Sequence, residues 1–181
     1  MRASLCLDRG ALACGLEHST RAMALGAVVP KFHEDFATAL LRSGQLREAE
    51  AILNLILSED DQSPVAWRLY GDLERERGDY NAALRRYRHA AVIGEHVDYE
   101  IGRCLLELGD VDAAIERLQR AVDRAGDRAA GPLFHLARAR HRKGDIAIAA
   151  GLLARARTIV VENNDTALLS KIDHELETLR P

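Results

Sequence analysis

The side chains in this sequence with chemistry to offer are seven histidines, three cysteines and 28 carboxylates. A metal site on a helix needs two donors one turn apart with a third close by. No histidine here has an i, i+4 partner supported in that way. His135 and His141, six residues apart, point to different sides of one helix. Cys6, Cys14 and Cys104 are odd in number and lack metal-ligand spacing, which reads as reduced thiols in a cytoplasmic protein. There is no phosphate loop, no paired-glycine dinucleotide turn and no nucleophile elbow. Ser, His and Asp occur, but no spacing brings them together. The expectation is a chain that is not an enzyme, with no catalytic residue, no metal and no cofactor.

The elements that such side chains would sit on are helices. Apolar residues make up 48% of the 181 residues and aromatics only 4%, a mixture suited to close helix packing rather than to sheets. A net charge of -3 gives no global attraction to nucleic acid, so a basic site would have to be local. Arg2 followed by Ala3–Leu7 imitates a signal start, yet Asp8 and Arg9 break the apolar run after about five residues, where roughly 7–15 are required. No apolar run approaches the ~18 residues of a membrane span, and no membrane partner is expected.

One pattern occurs four times: a glycine, a polar residue, an apolar residue, two free positions and an alanine. It runs from Gly44 to Ala49, Gly78 to Ala83, Gly109 to Ala114 and Gly144 to Ala149, with the glycines 34, 31 and 35 residues apart. Glycine closes one helix in the left-handed conformation, the Asp that often follows caps the next, and the small alanine lets two helices approach. Tyr87 and Ala90, Leu118 and Ala121, and Leu153 and Ala156 continue an amphipathic second helix. Pro30, Pro64 and Pro132 fall where first helices should begin. The periodicity predicts helices over 31–45, 46–61, 64–77, 80–93, 96–108, 111–125, 130–143 and 146–161.

The residues Trp67, Tyr70, Gly71, Gly78, Asp79, Tyr80, Ala83, Tyr87 and Ala90 resemble the tetratricopeptide-repeat pattern almost completely, and the resemblance extends over residues 30–163. It implies an all-α fold, a right-handed superhelical array of antiparallel helix pairs, with repeats at about 30–63, 64–94, 95–129 and 130–163. Residues 1–29 read as an N-terminal helical segment, a degenerate earlier repeat. Residues 164–181 read as a C-terminal capping helix with Leu168, Ile172, Leu176 and Leu179 on one stripe.

The resemblance further implies a non-catalytic module, an adaptor or scaffold, that holds a peptide or protein segment in a groove lined by the first helices. The groove phase selects Arg42, Arg68, Arg75, Tyr99, Arg103, Phe134, Arg138 and Arg142 as peptide-binding residues, with Leu106 in the same phase. Arginines with aromatic anchors point to an acidic ligand carrying apolar residues. The family's chaperone-tail signature is absent: Glu34, Thr38, Leu69, His96 and Glu100 stand where Lys and Asn would be needed. A bacterial secretion-type chaperone is an alternative, and a nucleic-acid-binding helical repeat or a homo-oligomeric scaffold built through the N-terminal segment are weaker ones.

Overall fold

The computed structural model describes residues 30–126 and 129–179 of the chain. The N-terminal segment expected to form a degenerate repeat lies outside the described residues. Those residues form nine helices and no strand: α1 Pro30–Arg42, α2 Leu46–Glu59, α3 Pro64–Glu76, α4 Tyr80–Val92, α5 Asp98–Glu107, α6 Val111–Ala125, α7 Ala130–Lys143, α8 Ile146–Glu162 and α9 Thr166–Thr178. The chain divides into two compact units, one ending at Val97 and the other beginning at Asp98.

The repeated glycine does the work that its position implies. Gly78 has φ +80°, and its amide donates to the carbonyl of Arg75 (3.0 Å) while the next amide, Asp79, reaches back to Glu74 (2.9 Å). This pair of bonds closes α3, and a residue with a Cβ would be strained there. The same two bonds recur at Gly44, Gly109 and Gly144. The Asp79 carboxylate then accepts from the Ala82 amide (2.8 Å), and Asp110 does the same for Ala113 (3.3 Å). At Asp145 the side chain instead takes Arg140 at 3.0 Å, so α8 starts without that cap.

In the first unit α1 packs on α2, α3 on α4, α2 on α3, and α1 also on α3. The core between them holds Phe36, Leu40, Leu53, Leu69, Leu73 and Tyr87, all fully buried. Ala49 and Ala83, the small residues of the repeat, are both 0% exposed. Gly71 makes room for Tyr87: a Cβ there would stand 2.5 Å from Tyr87 Cδ1.

In the second unit α5 packs on α6, α6 on α7, α7 on α8 and α8 on α9, while α7 also touches α5 and α9. Leu106, Leu118, Leu133, Leu136, Leu153 and Ile172 are its largest fully buried side chains. The shortest helix, α5, has 10 residues and begins at Asp98 rather than at the expected 96. Of the stripe expected on α9, Ile172 is completely buried, whereas Leu168, Leu176 and Leu179 are half-buried.

Candidate functional site

The first helices of the first unit, α1 and α3, leave a hollow of about 230 Å³ between them. Leu41 and Leu69 form its apolar floor. Thr38 and Arg42 line it from α1, and Arg68, Asp72, Arg75 and Glu76 from α3. Three of the residues selected from the sequence therefore share one surface. Their charges do not add up to a basic strip. Arg68 pairs with Asp72 (3.2 Å) and Glu95 (3.2 Å), and Arg75 with Glu76 (2.8 Å) and Asp72 (3.6 Å). Only Arg42 of the three is exposed and makes no ion pair among the described residues.

Asp72 is the junction of this network. Besides the two arginines, it accepts a hydrogen bond from the Tyr87 hydroxyl at 2.9 Å. Burial pushes the Tyr87 phenol well above its ordinary value, and the neighbouring Asp72 charge adds to that shift. Burial works against the Arg75 charge, but Tyr87, Glu76 and Asp72 outweigh it and hold the guanidinium above its ordinary value. Arg75 is consequently a fixed part of the wall. Nearby, burial raises the Glu34 carboxyl above the usual glutamate value, opposed by a 3.5 Å hydrogen bond from the Ser63 hydroxyl.

In the second unit α5 and α7 carry the corresponding residues. The Tyr99 hydroxyl lies over Gly131, 3.2 Å from where a Cβ would stand, and its ring centroid is 5.6 Å from that of His135. The Arg103 guanidinium lies 5.4 Å from the Tyr99 centroid and makes no ion pair among the described residues. Arg138 pairs with Glu107 at 3.6 Å. Arg142 donates to the Leu106 carbonyl and stands 3.9 Å from Glu107.

Two expectations need correction. Phe134 is only 7% exposed and Leu106 is fully buried, so neither presents its side chain on a binding face. The reason lies in their helices' neighbours. α7 is packed against α5, α6, α8 and α9, and α5 against α6 and α7. Their apolar arcs are wider than the stripe of a helix covered on one side only. The sequence reading also passed over Glu76, Glu95 and Glu107, which together with Asp72 neutralise four of the arginines. The i, i+4 spacing of Arg68 and Asp72 was the available signal. Among the described residues no group of three or more His, Cys, Asp or Glu side chains could hold a metal ion. Nor is any described helix long and apolar enough to cross a membrane.

Comparison with known proteins places this geometry. A tetratricopeptide-repeat family model matches residues 34–94 and 99–160, more than half of the chain. The chain belongs to the tetratricopeptide-repeat family, and its fold is that of an all-α tetratricopeptide array. Among solved structures, a chain of the anaphase-promoting-complex hetero-tetramer Cut9–Hcn1 superposes with a TM-score of 0.79 at 14% identity. That match covers 99% of this chain and 35% of the other, so this chain spans about a third of its length. TTC0263, a thermophilic tetratricopeptide protein of Thermus thermophilus, has a TM-score of 0.74 at 17% identity, covering 96% of this chain and 95% of its own. YrrB, described as a tetratricopeptide protein with an unusual peptide-binding site, gives 0.62 at 18% identity, with coverages of 90% and 92%. A comparison with curated protein sequences returns no match.

Proposed function

We propose that the protein is a non-catalytic interaction module that holds a segment of another polypeptide against its first helices, and that the segment is acidic with one or two apolar residues. The hollow between α1 and α3 carries this reading: it has a leucine floor beside an exposed arginine, Arg42, that makes no ion pair among the described residues. Arg103, over the Tyr99 ring and likewise without an ion pair among the described residues, supports it in the second unit. The peptide-binding site attributed to YrrB, a fold relative, is consistent with such a use. The buried thiol of Cys104 suits a reducing compartment such as the cytoplasm.

The division of labour among the arginines follows from their pairing. Arg68, Arg75, Arg138 and Arg142 are engaged with carboxylates and organise the surface. Arg42 and Arg103 are the two left to meet a ligand carboxylate. Each exposed contact is worth about 1 kcal/mol or less, enough to steer but not to hold. Holding falls to the leucine floor and the Tyr99 ring.

With a partner isolated by pull-down, surface plasmon resonance tests this split. Arg42→Glu with Arg103→Glu should slow association and flatten its salt dependence. Tyr99→Ala should mainly speed dissociation. Arg68→Glu is unsuitable as a probe, because it sets a third carboxylate beside Asp72 and Glu95 and would damage the fold. If all of these variants bind as the parent does, the ligand sits on another surface.

A further inference from the structure

Helix α4 carries charge that the fold leaves unbalanced. Its 13 residues include Arg85, Arg86, Arg88 and His89 but no carboxylate. Arg86 has a place in the packing, its guanidinium lying over the rings of Trp67 (5.2 Å) and Tyr70 (4.6 Å). Arg85 and Arg88 are exposed and make no ion pair among the described residues. Helix α7 is the contrast. It is as basic, yet Arg138, Arg140, Arg142 and Lys143 each meet a carboxylate. On α6 the exposed Arg120 is paired with Glu116 one turn away.

Helical spacing puts the two unpaired arginines on one stripe. Asn81, Arg85, Arg88 and Val92 follow one another at intervals of a turn and so line a single face. All four are exposed, and Val92, at 83%, is the most exposed of the described large apolar side chains. Two arginines one turn apart repel each other and cost the helix stability rather than adding to it. The fold gains nothing from this stripe, whereas a partner's carboxylates would neutralise it. From Arg85 to Val92 the stripe runs about 10 Å along the axis, the length of two helical turns. We propose that it docks a helix of another protein, one that carries two carboxylates a turn apart and an apolar residue a turn beyond.

Neighbouring charge selects against broader anions. The Trp67 and His89 rings meet edge-on with centroids 4.5 Å apart, and Trp67 Nε1 donates to the Asp61 carbonyl at 2.8 Å. These contacts bring the end of α2 close to α4. Glu59, Asp60 and Asp61 are exposed there and make no ion pair among the described residues. A nucleic acid or an anionic membrane broad enough to cover the stripe brings its charges against that turn. The net charge of -3 adds to the repulsion. A helix with only two carboxylates meets the arginines alone. None of the stripe's residues lines the hollow between α1 and α3, so this is a second surface rather than part of the first.

An NMR titration of the isotope-labelled full chain tests this docking. The probe is a synthetic alanine-rich helix with two glutamates one turn apart and a leucine one turn beyond. Its control carries glutamine in place of glutamate. The titration is run on the Arg42→Glu, Arg103→Glu chain, so that the first-helix faces do not compete for the probe. The acidic helix should shift amide signals across residues 81–92 in a salt-sensitive way, and the control should not. Arg85→Gln with Arg88→Gln should weaken that binding about tenfold. The same variant should melt no lower than its parent, because the like-charge pair is gone. Four results would overturn the proposal: no shifts on α4, equal shifts with the control, a lower melting temperature in the glutamine variant, or an oligouridine that binds α4 more tightly than the acidic helix. Signals from Thr38 to Glu76 in the parent chain report on the first-helix hollow, so the two surfaces succeed or fail separately.

Discussion

At the scale of single residues, the tightest constraint is a missing methyl group. Gly71 on α3 faces the ring of Tyr87, which is fully buried and tied to Asp72 by its hydroxyl. Tyr87 cannot retreat without breaking that bond, so Gly71→Ala overpacks the core. It should destabilise the protein by about 1–3 kcal/mol in urea denaturation. Gly102→Ala should behave alike, with its Cβ 2.7 Å from Leu118 Cγ. Gly131→Ala is the control: its nearest neighbour is the far end of Tyr99, at 3.2 Å, which can yield. Equal costs at all three positions would show that helix propensity, not packing, governs the effect. The sequence marked Gly71 as a repeat residue, and Gly102 stands 31 residues on, at the spacing of Gly78 and Gly109. What each had to accommodate was invisible there, because the opposing side chain comes from the next helix in a specific rotamer.

Pairs of helices are joined by charges whose partners lie far apart in sequence. Asp98, in the first turn of α5, receives Arg117 at 3.0 Å and Arg124 at 2.9 Å, both from α6. Burial opposes the Asp98 charge, but the two guanidinium groups prevail and hold the carboxyl below its ordinary value of 3.8. A carboxyl depressed in the folded state stabilises it fully above the unfolded value and loses that contribution as pH falls through 3.8 and below. Asp98→Asn should therefore lower stability at neutral pH by about 1 kcal/mol, and the difference from the parent should shrink as pH drops below 4. Thermal unfolding from pH 7 to pH 3 measures this, and a difference that does not change with pH would exclude the ionised Asp98 as its source. Such pairs also mark the limit of what the candidate site disclosed in sequence. The recurrence of Arg68, Arg103 and Arg138 was legible from spacing alone. Their unequal pairing was not, since Glu95 and Glu107 arrive from other turns of the chain. Phe134 was misassigned because periodicity within one helix does not show how many neighbours that helix has.

For the whole chain, helix positions were legible because each repeat turn is built locally, from a glycine in the left-handed region and bonds that span six residues. The fate of the last helix is less local. α9 packs on both α8 and α7, in the place a further first helix would take, although no second helix among the described residues follows it. Ile172 is its only fully buried residue, and Arg157–Asp173 (2.7 Å) and His141–Glu175 (3.2 Å) pin it to α8 and α7. Burying Ile172 alone contributes about 1.5–3 kcal/mol. In a chain of this length, 1 kcal/mol corresponds to roughly 2–4 °C of melting temperature. Deleting residues 165–181 should therefore lower the melting temperature by several degrees or more and increase binding of a hydrophobic dye, as faces of α7 and α8 become wet. Ile172→Ala in the full chain should reproduce part of the loss, about 2–5 kcal/mol, through the cavity it leaves. A truncated chain that melts with the parent would mean that α9 rests on the array without stabilising it, and α7 and α8 would then have to be stable with that face bare.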